Sequence, residues 1–395
     1  MSLPALRNTT MGTAPQRSAE ERSLQAAGGA LAVGFVVGFI VFFGTRRPLS
    51  GEDSIGAAAG AVSALISLAA FGFVAWRHVL TRLKDRTRLR WLYVLDVVAL
   101  ALAHAALSYM GAVALFAIFQ QAFIGLTLDA FAAALLMAMA TGLTAYLTSA
   151  NVQSLTTERV ATLMAVFLTL GVLDAMMNTS QSDWWHSNIS ALGTAHSGTA
   201  STFNITLVVA GALIVALAHF ILADLEHYST TDAGAVAFAE IQTLRQKAGQ
   251  RWLQFLGARR WAERVPQDRY VHPRLRPVYG CLVLMGAGLA LAGFIPVDES
   301  ELLHNTGATG MVLAWAVLVV SLPWWIPGLG FTFHVTSAVF VAGVTLSALL
   351  YLPLHYYNLT AMELIAFAMI MTWLILFIRQ VASVPEPRGT AAAQV

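Results

Sequence analysis

Residues 182–204 read SDWWHSNISALGTAHSGTASTFN, a polar stretch set between two long apolar runs. Histidines, serines and carboxylates gathered this densely could support nucleophilic chemistry, in which an imidazole takes a serine proton while a carboxylate orients the ring. The candidate bases are His186, His196 and, from the downstream motif LLHN, His304, with Asp174 or Asp183 as orienting carboxylate. Ser187, Ser190 and Ser197 are the hydroxyls beside them. The same trio, His186, His196 and His304, could instead ligate a divalent metal, which takes three or four N, S or O donors. No H-x-x-x-H pair occurs, so such a site would have to be gathered from separate loops. A third chemistry is binding alone. Trp184, Trp185, Ser187, Asn188, Ser190, Asn204, Asn305, His355 and Tyr356 offer stacking surfaces and hydrogen-bonding groups for a polar substrate.

Blander roles compete with each of these. A serine- and threonine-rich run ahead of an apolar segment supplies a helix N-cap, and 197–202 fits that role. Tryptophan gathers where a membrane meets water. The chain has no G-x-S-x-G elbow, phosphate-cradling glycine loop or dinucleotide fingerprint.

The elements that must position these residues follow from composition. With 57% hydrophobic residues, 11% charged and a mean hydropathy of +0.68, the 395-residue chain cannot cover itself with a water-soluble surface. A hydrocarbon core about 30 Å thick needs roughly 20 apolar residues per helix. Runs of that kind fall near 26–44, 55–76, 92–119, 129–150, 158–177, 199–222, 277–296, 306–322, 330–350 and 360–379. They are continuously apolar rather than alternating, which predicts helices and not barrel strands. The expected fold is therefore all-α, a polytopic membrane protein with about ten transmembrane helices. The first run lacks a small-residue cleavage site and is expected to remain as a helix. Cys281, the single cysteine, leaves no partner for an intrachain disulfide and is expected to pack.

Lysine and arginine set the expected orientation, because basic loops stay in the cytoplasm. The loop RHVLTRLKDRTRLR at 77–90 and the nine Lys or Arg in 223–276 both fall inside if both termini are cytoplasmic. Arg46 and Arg47 are then the exceptions, balanced by Glu52 and Asp53. That places 182–204, His304, His355 and the carboxylates Asp298, Glu299 and Glu301 on the opposite, outward side. The net charge of +2 hides this asymmetry and points to no nucleic-acid partner.

The expected organisation is a cytoplasmic tail at 1–25, a four-helix membrane segment at 26–150, a six-helix core at 158–380 and a cytoplasmic tail at 381–395. A basic insertion at 223–276 interrupts the core. Within it, 235–265 repeats apolar residues at three- and four-residue steps between Arg and Lys, which predicts an amphipathic helix on an anionic inner leaflet or against a cytoplasmic partner. The spacings GFVVG at 34–38 and GAAAG at 56–60 predict close helix packing within the chain. Asp96, His104 and Ser108 share one helix face. Asp96 is expected near a solvated end, and His104 is expected to be a packed, hydrogen-bonded residue.

WWHSNISALG at 184–193, FNITLVVAG at 203–211, LLHNTGATG at 302–310 and the closing MELIAFAMIMTWLILFIR together resemble the bacterial membrane family catalogued as domain of unknown function 998. That family is similar in pattern to the Frag/DRAM/Sfk group of six-helix lipid-handling proteins. The resemblance covers roughly residues 158–380 and implies a multi-pass protein of the bacterial plasma (inner) membrane with membrane lipids as partners. Two functions remain open at this point. One is a lipid-interacting protein of envelope lipid metabolism, as transporter or accessory factor. The other is an intramembrane hydrolase or transferase acting on an outer-leaflet lipid or glycolipid, with or without a divalent metal.

Overall fold

The structure is a computed structural model that describes residues 14–82, 90–196, 199–230, 275–326 and 329–382. Among the described residues ten helices are long and apolar enough to cross a membrane, so the protein is an all-α, multi-pass membrane protein. In order they are α1 (Ala14–Phe42), α2 (Ile55–Arg82), α3 (Arg90–Ala122), α4 (Ala130–Gln153), α5 (Thr157–Asn178), α6 (Ala200–Thr230), α7 (Leu275–Phe294), α8 (Glu301–Trp325), α9 (Phe331–Tyr351) and α10 (Leu359–Ala382). Ile40, Leu65, Leu284 and Val339 are among the large apolar side chains left exposed along them. Such a surface is stable only against hydrocarbon. The expected amphipathic segment at 235–265, residues 83–89 of the basic loop at 77–90 and Ser197 lie outside the described residues.

α1 begins well before the apolar run that announced it. Its first turns, APQRSAEERSLQ, are rich in Ala, Glu, Arg, Gln and Leu, and these strong helix formers carry the helix on beyond the apolar stretch. The other helix ends fall within a few residues of the expected ones, apart from the last turns of α2 and α6.

The chain divides into two compact units, Met1–Leu155 and Thr156–Val395. In the first, α4 is the axis. α1 and α2 each pack along it, α3 packs along α2, and α1 and α2 meet each other little. The close packing is within the chain, as the glycine spacings predict. A Cβ on Gly34 would come within 3.1 Å of the Ala138 Cα, and one on Gly56 within 2.7 Å of the Phe116 Cβ. One end of this unit is closed by Phe42, Leu49, Ile55, Ala59, Phe116, Ala133 and Met137. There Arg47–Pro48 and Thr127–Leu128 pair as a short antiparallel ribbon, and Asp129 caps α4 by accepting from the Phe131 and Ala132 amides at 2.9 and 3.2 Å. His104 is packed as expected: its Nδ1 lies 2.8 Å from the Leu100 carbonyl, and its ring faces Phe71. Asp96 lies near the start of α3 as expected, but it is buried there rather than solvated.

In the second unit α6 packs against both α5 and α7, α7 against α8, and α10 against α5 and α9. An aromatic core joins α8, α9 and α10. Trp373 meets Trp315 edge-on at 6.1 Å, stacks on Phe377 at 5.2 Å, and donates its indole N–H to Ser337 at 2.9 Å. Between α6 and α7 the backbones nearly touch, since a Cβ on Gly286 would fall 2.4 Å from the Gly211 carbonyl oxygen. Cys281 is buried in α7, a packing residue as expected.

Candidate functional site

The segment joining α5 to α6 forms the candidate site. Two short 3-10 turns, Trp184–His186 and Ile189–Gly193, fold it back over the ends of the second unit's helices. A chain this polar cannot satisfy its own backbone in so short a span, so side chains from distant helices complete it. Glu363, in the first turns of α10, accepts the Ile189 amide at 2.7 Å. Asp298, from the α7–α8 connection, accepts the Ala195 amide at 3.0 Å. Asn358, just before α10, donates to the Trp185 carbonyl at 2.7 Å, and Asn204 of α6 donates to the Gly193 carbonyl at 2.9 Å. Gly193 packs tightly there: a Cβ would lie 2.3 Å from the Asn204 Oδ1, and the Asn204 side chain would have to shift to admit one.

At the centre of this platform Ser190 meets His304. Ser190 Oγ lies 2.8 Å from His304 Nε2, and His304 Nδ1 lies 3.0 Å from the Ile295 carbonyl oxygen. A carbonyl can only accept, so Nδ1 carries the proton and Nε2 is left to accept from the serine hydroxyl. His304 is 4% exposed, while Ser190 is half-buried and reachable from the surface. The helix itself places the histidine: Ser300 caps α8 and accepts the Leu303 amide, which sets His304 in the first turn, pointing back toward the preceding connection.

Two further polar atoms stand out. The Asn188 Oδ1 is buried with no hydrogen-bond partner, and so is the Thr360 hydroxyl in the first turn of α10. Asn188 is next in sequence to Ile189, which Glu363 holds, and Thr360 lies one residue beyond Leu359 at the start of the same helix. An acceptor left unsatisfied in this way costs about 1–3 kcal/mol.

The other residues named from sequence are distributed more widely. Trp185 and His186 stack on each other at 3.7 Å and are exposed, as are Ser187 and Asp183. Trp184 is half-buried. His196 is exposed and takes part through its carbonyl, which accepts from Ser180. Asp174 is held by Asn178 one turn along α5. Asn305 is exposed beside His304 on α8. His355 and Tyr356 are exposed in the α9–α10 connection that also carries Asn358, and His355 adopts a left-handed backbone, φ +46°.

The structure therefore brings Ser190 to His304 but leaves His186 and His196 apart from that pair. Among the described residues no three His, Cys, Asp or Glu side chains form a metal-ligating group. The group that orients the His304 ring is the Ile295 carbonyl, where the sequence suggested the carboxylate of Asp174 or Asp183. Glu363, Asp298 and Asn358 are the residues that sequence reasoning missed as site members. The first two were visible only as carboxylates close to a helix end, and nothing in their spacing ties them to a segment 100 or more residues away.

Set beside protein-family models, characterised proteins and solved structures, the chain returns no match in any of the three comparisons.

Proposed function

We propose that this multi-pass membrane protein handles a lipid, binding a hydroxyl-bearing headgroup on the platform formed by 179–196 over the helix ends of the second unit. Exposed Trp185 and His186 carry the reading, since a stacked aromatic pair left open on a segment whose backbone is tied to distant helices suits a headgroup lying at the interface. The orientation that places this platform outside a bacterial inner membrane, and the resemblance of 158–380 to the domain of unknown function 998 family, belong to the same proposal.

A second reading is favoured by the Ser190–His304 pair. In it Ser190 Oγ attacks the ester carbonyl of a lipid and passes its proton to His304 Nε2. The departing alcohol takes that proton as the acyl–oxygen bond breaks, and water or a second alcohol then releases the acyl group from Ser190.

Native mass spectrometry of the full-length protein in several mild detergents tests the first reading. It should show a retained lipid that is lost when Trp185→Ala and His186→Ala are combined and weakened in Glu363→Gln. Lipid-free spectra throughout would refute it. A fluorophosphonate probe tests the second: labelling of the wild type and none of Ser190→Ala is expected, and an unlabelled wild type excludes it.

A further inference from the structure

The first unit holds a cavity of about 700 Å³ that shares no residue with the platform. Its origin is the helix arrangement. α1 and α2 both pack on α4 but hardly on each other, and a cleft opens between them with α4 as its floor. The walls are aliphatic, with Ala30, Val33, Ile66, Ala70 and Ala145 among them, while Arg22, Gln25 and Gln153 stand at one end. The volume lies within the range of roughly 300–1,000 Å³ typical of small-molecule sites.

Three features identify an occupant. The first is charge. Arg22 Nε donates to Gln153 Oε1 at 3.1 Å, and Gln153 is itself fixed through its Nε2, which donates to Ser23 Oγ at 2.9 Å and to the Ser149 carbonyl at 3.1 Å. The guanidinium is thus held at the mouth, and among the described residues no carboxylate pairs with it. The second is an orphan. Ser149 lines the floor at 2% exposure, and its hydroxyl is buried without a partner. It sits one helical turn, about 6 Å, below Gln153. The third is depth. From Arg22 to Val33 the α1 wall rises about 16 Å, close to the roughly 15 Å half-thickness of a hydrocarbon core.

We propose that this cleft binds one anionic glycerophospholipid of the surrounding leaflet. The phosphate lies on the Arg22 guanidinium, whose planar fork suits it. An ester carbonyl accepts from Ser149, and one acyl chain fills the aliphatic cleft. A small soluble anion would leave the apolar length empty, and a zwitterionic lipid would set its own cation beside Arg22.

The test is titration of the full-length protein, in mild detergent, with phosphatidylglycerol and with phosphatidylcholine of identical chains, read by native mass spectrometry. Wild type should retain phosphatidylglycerol about tenfold better, the equivalent of one charge-assisted contact. Arg22→Gln should erase that preference, and Arg22→Lys should restore part of it. Ala69→Trp, at an exposed position on the cleft wall, should displace the lipid while leaving the melting temperature unchanged. Ser149→Ala should weaken retention of the diester but not of its ether-linked analogue, which has no carbonyl to bond. Equal retention of the two lipids by wild type, a preference that survives Arg22→Gln, undiminished binding by Ala69→Trp, or capture of free fatty acid in place of the phospholipid would each overturn the proposal. None of these variants touches the platform, so failure here is separate from failure of the headgroup reading.

Discussion

Replacing Ser190 by Ala, His304 by Ala, and both together measures whether the central pair of the platform is formed and what it contributes. Ser190→Ala removes the donor to a histidine that is 4% exposed, and leaves Nε2 as a buried acceptor without a partner. The cost of such a group is about 1–3 kcal/mol. His304→Ala removes a buried ring together with its bond to the Ile295 carbonyl, and should cost about 2–5 kcal/mol from cavity and lost hydrogen bond combined. In the double variant the serine has already lost its partner, so the total should fall short of the sum by about 0.5–1.5 kcal/mol, the net value of one hydrogen bond. Reversible unfolding in mixed micelles of a mild and a denaturing detergent reads all three differences. Additivity within about 0.3–0.5 kcal/mol would show that the residues are uncoupled. The geometry that places Ser190 on His304 would then be refuted, and the acyl-transfer reading with it.

Two further predictions bear on the scaffold. Gly286→Ala places a methyl group 2.4 Å from the Gly211 carbonyl oxygen and should destabilise the α6–α7 contact by about 1–3 kcal/mol, whereas Gly280→Ala, with nothing within 4 Å, should be neutral or stabilising; equal melting temperatures for the two variants would mean that α6 and α7 do not approach this closely. The Ala132 amide, and after it the Phe131 amide, hold the Asp129 carboxyl below its ordinary range, so the cap's contribution should be complete above about pH 4 and should fade as pH drops through the lowered value. Asp129→Ala should remove that acid-dependent part of the stability curve, and a wild-type curve identical to the variant's from pH 6 to pH 2 would contradict it.

How legible each level was follows from where its information lies. The ten helices were readable because a membrane span is a local property: some 20 apolar residues in a row suffice, and no distant partner is needed to recognise them. Helix packing at Gly34 and Gly38 was readable for a related reason, since the small residues that permit close approach stand four apart in one helix. The site was readable only on one side. The segment 182–204 shows its polar content directly, and Ser190 and His304 were both on the candidate roster. That Ser190, and not Ser187, meets His304 depends on the register of a 3-10 turn that propensity does not specify. The anchors Glu363, Asp298 and Asn358 are single polar residues at helix ends, where such residues are common whatever they bind. Only the tertiary fold selects them.

Those anchors also decide how the platform can work. Glu363 to Ile189, Ser190 to His304, Asp298 to Ala195, Asn204 to Gly193 and Asn358 to Trp185 are five separate ties from α6, α8, α10 and the connections between them. At about 1 kcal/mol each, lifting the whole segment would cost on the order of 5 kcal/mol, a population of roughly one molecule in several thousand. A ligand that required the segment to lift would lose that much affinity. A headgroup that lies on the segment as it stands, against the exposed Trp185 and His186, loses none of it. On the proposed lipid-binding reading, the five ties make 179–196 a preorganised face rather than a lid, and they hold Ser190 on His304 before any ligand arrives.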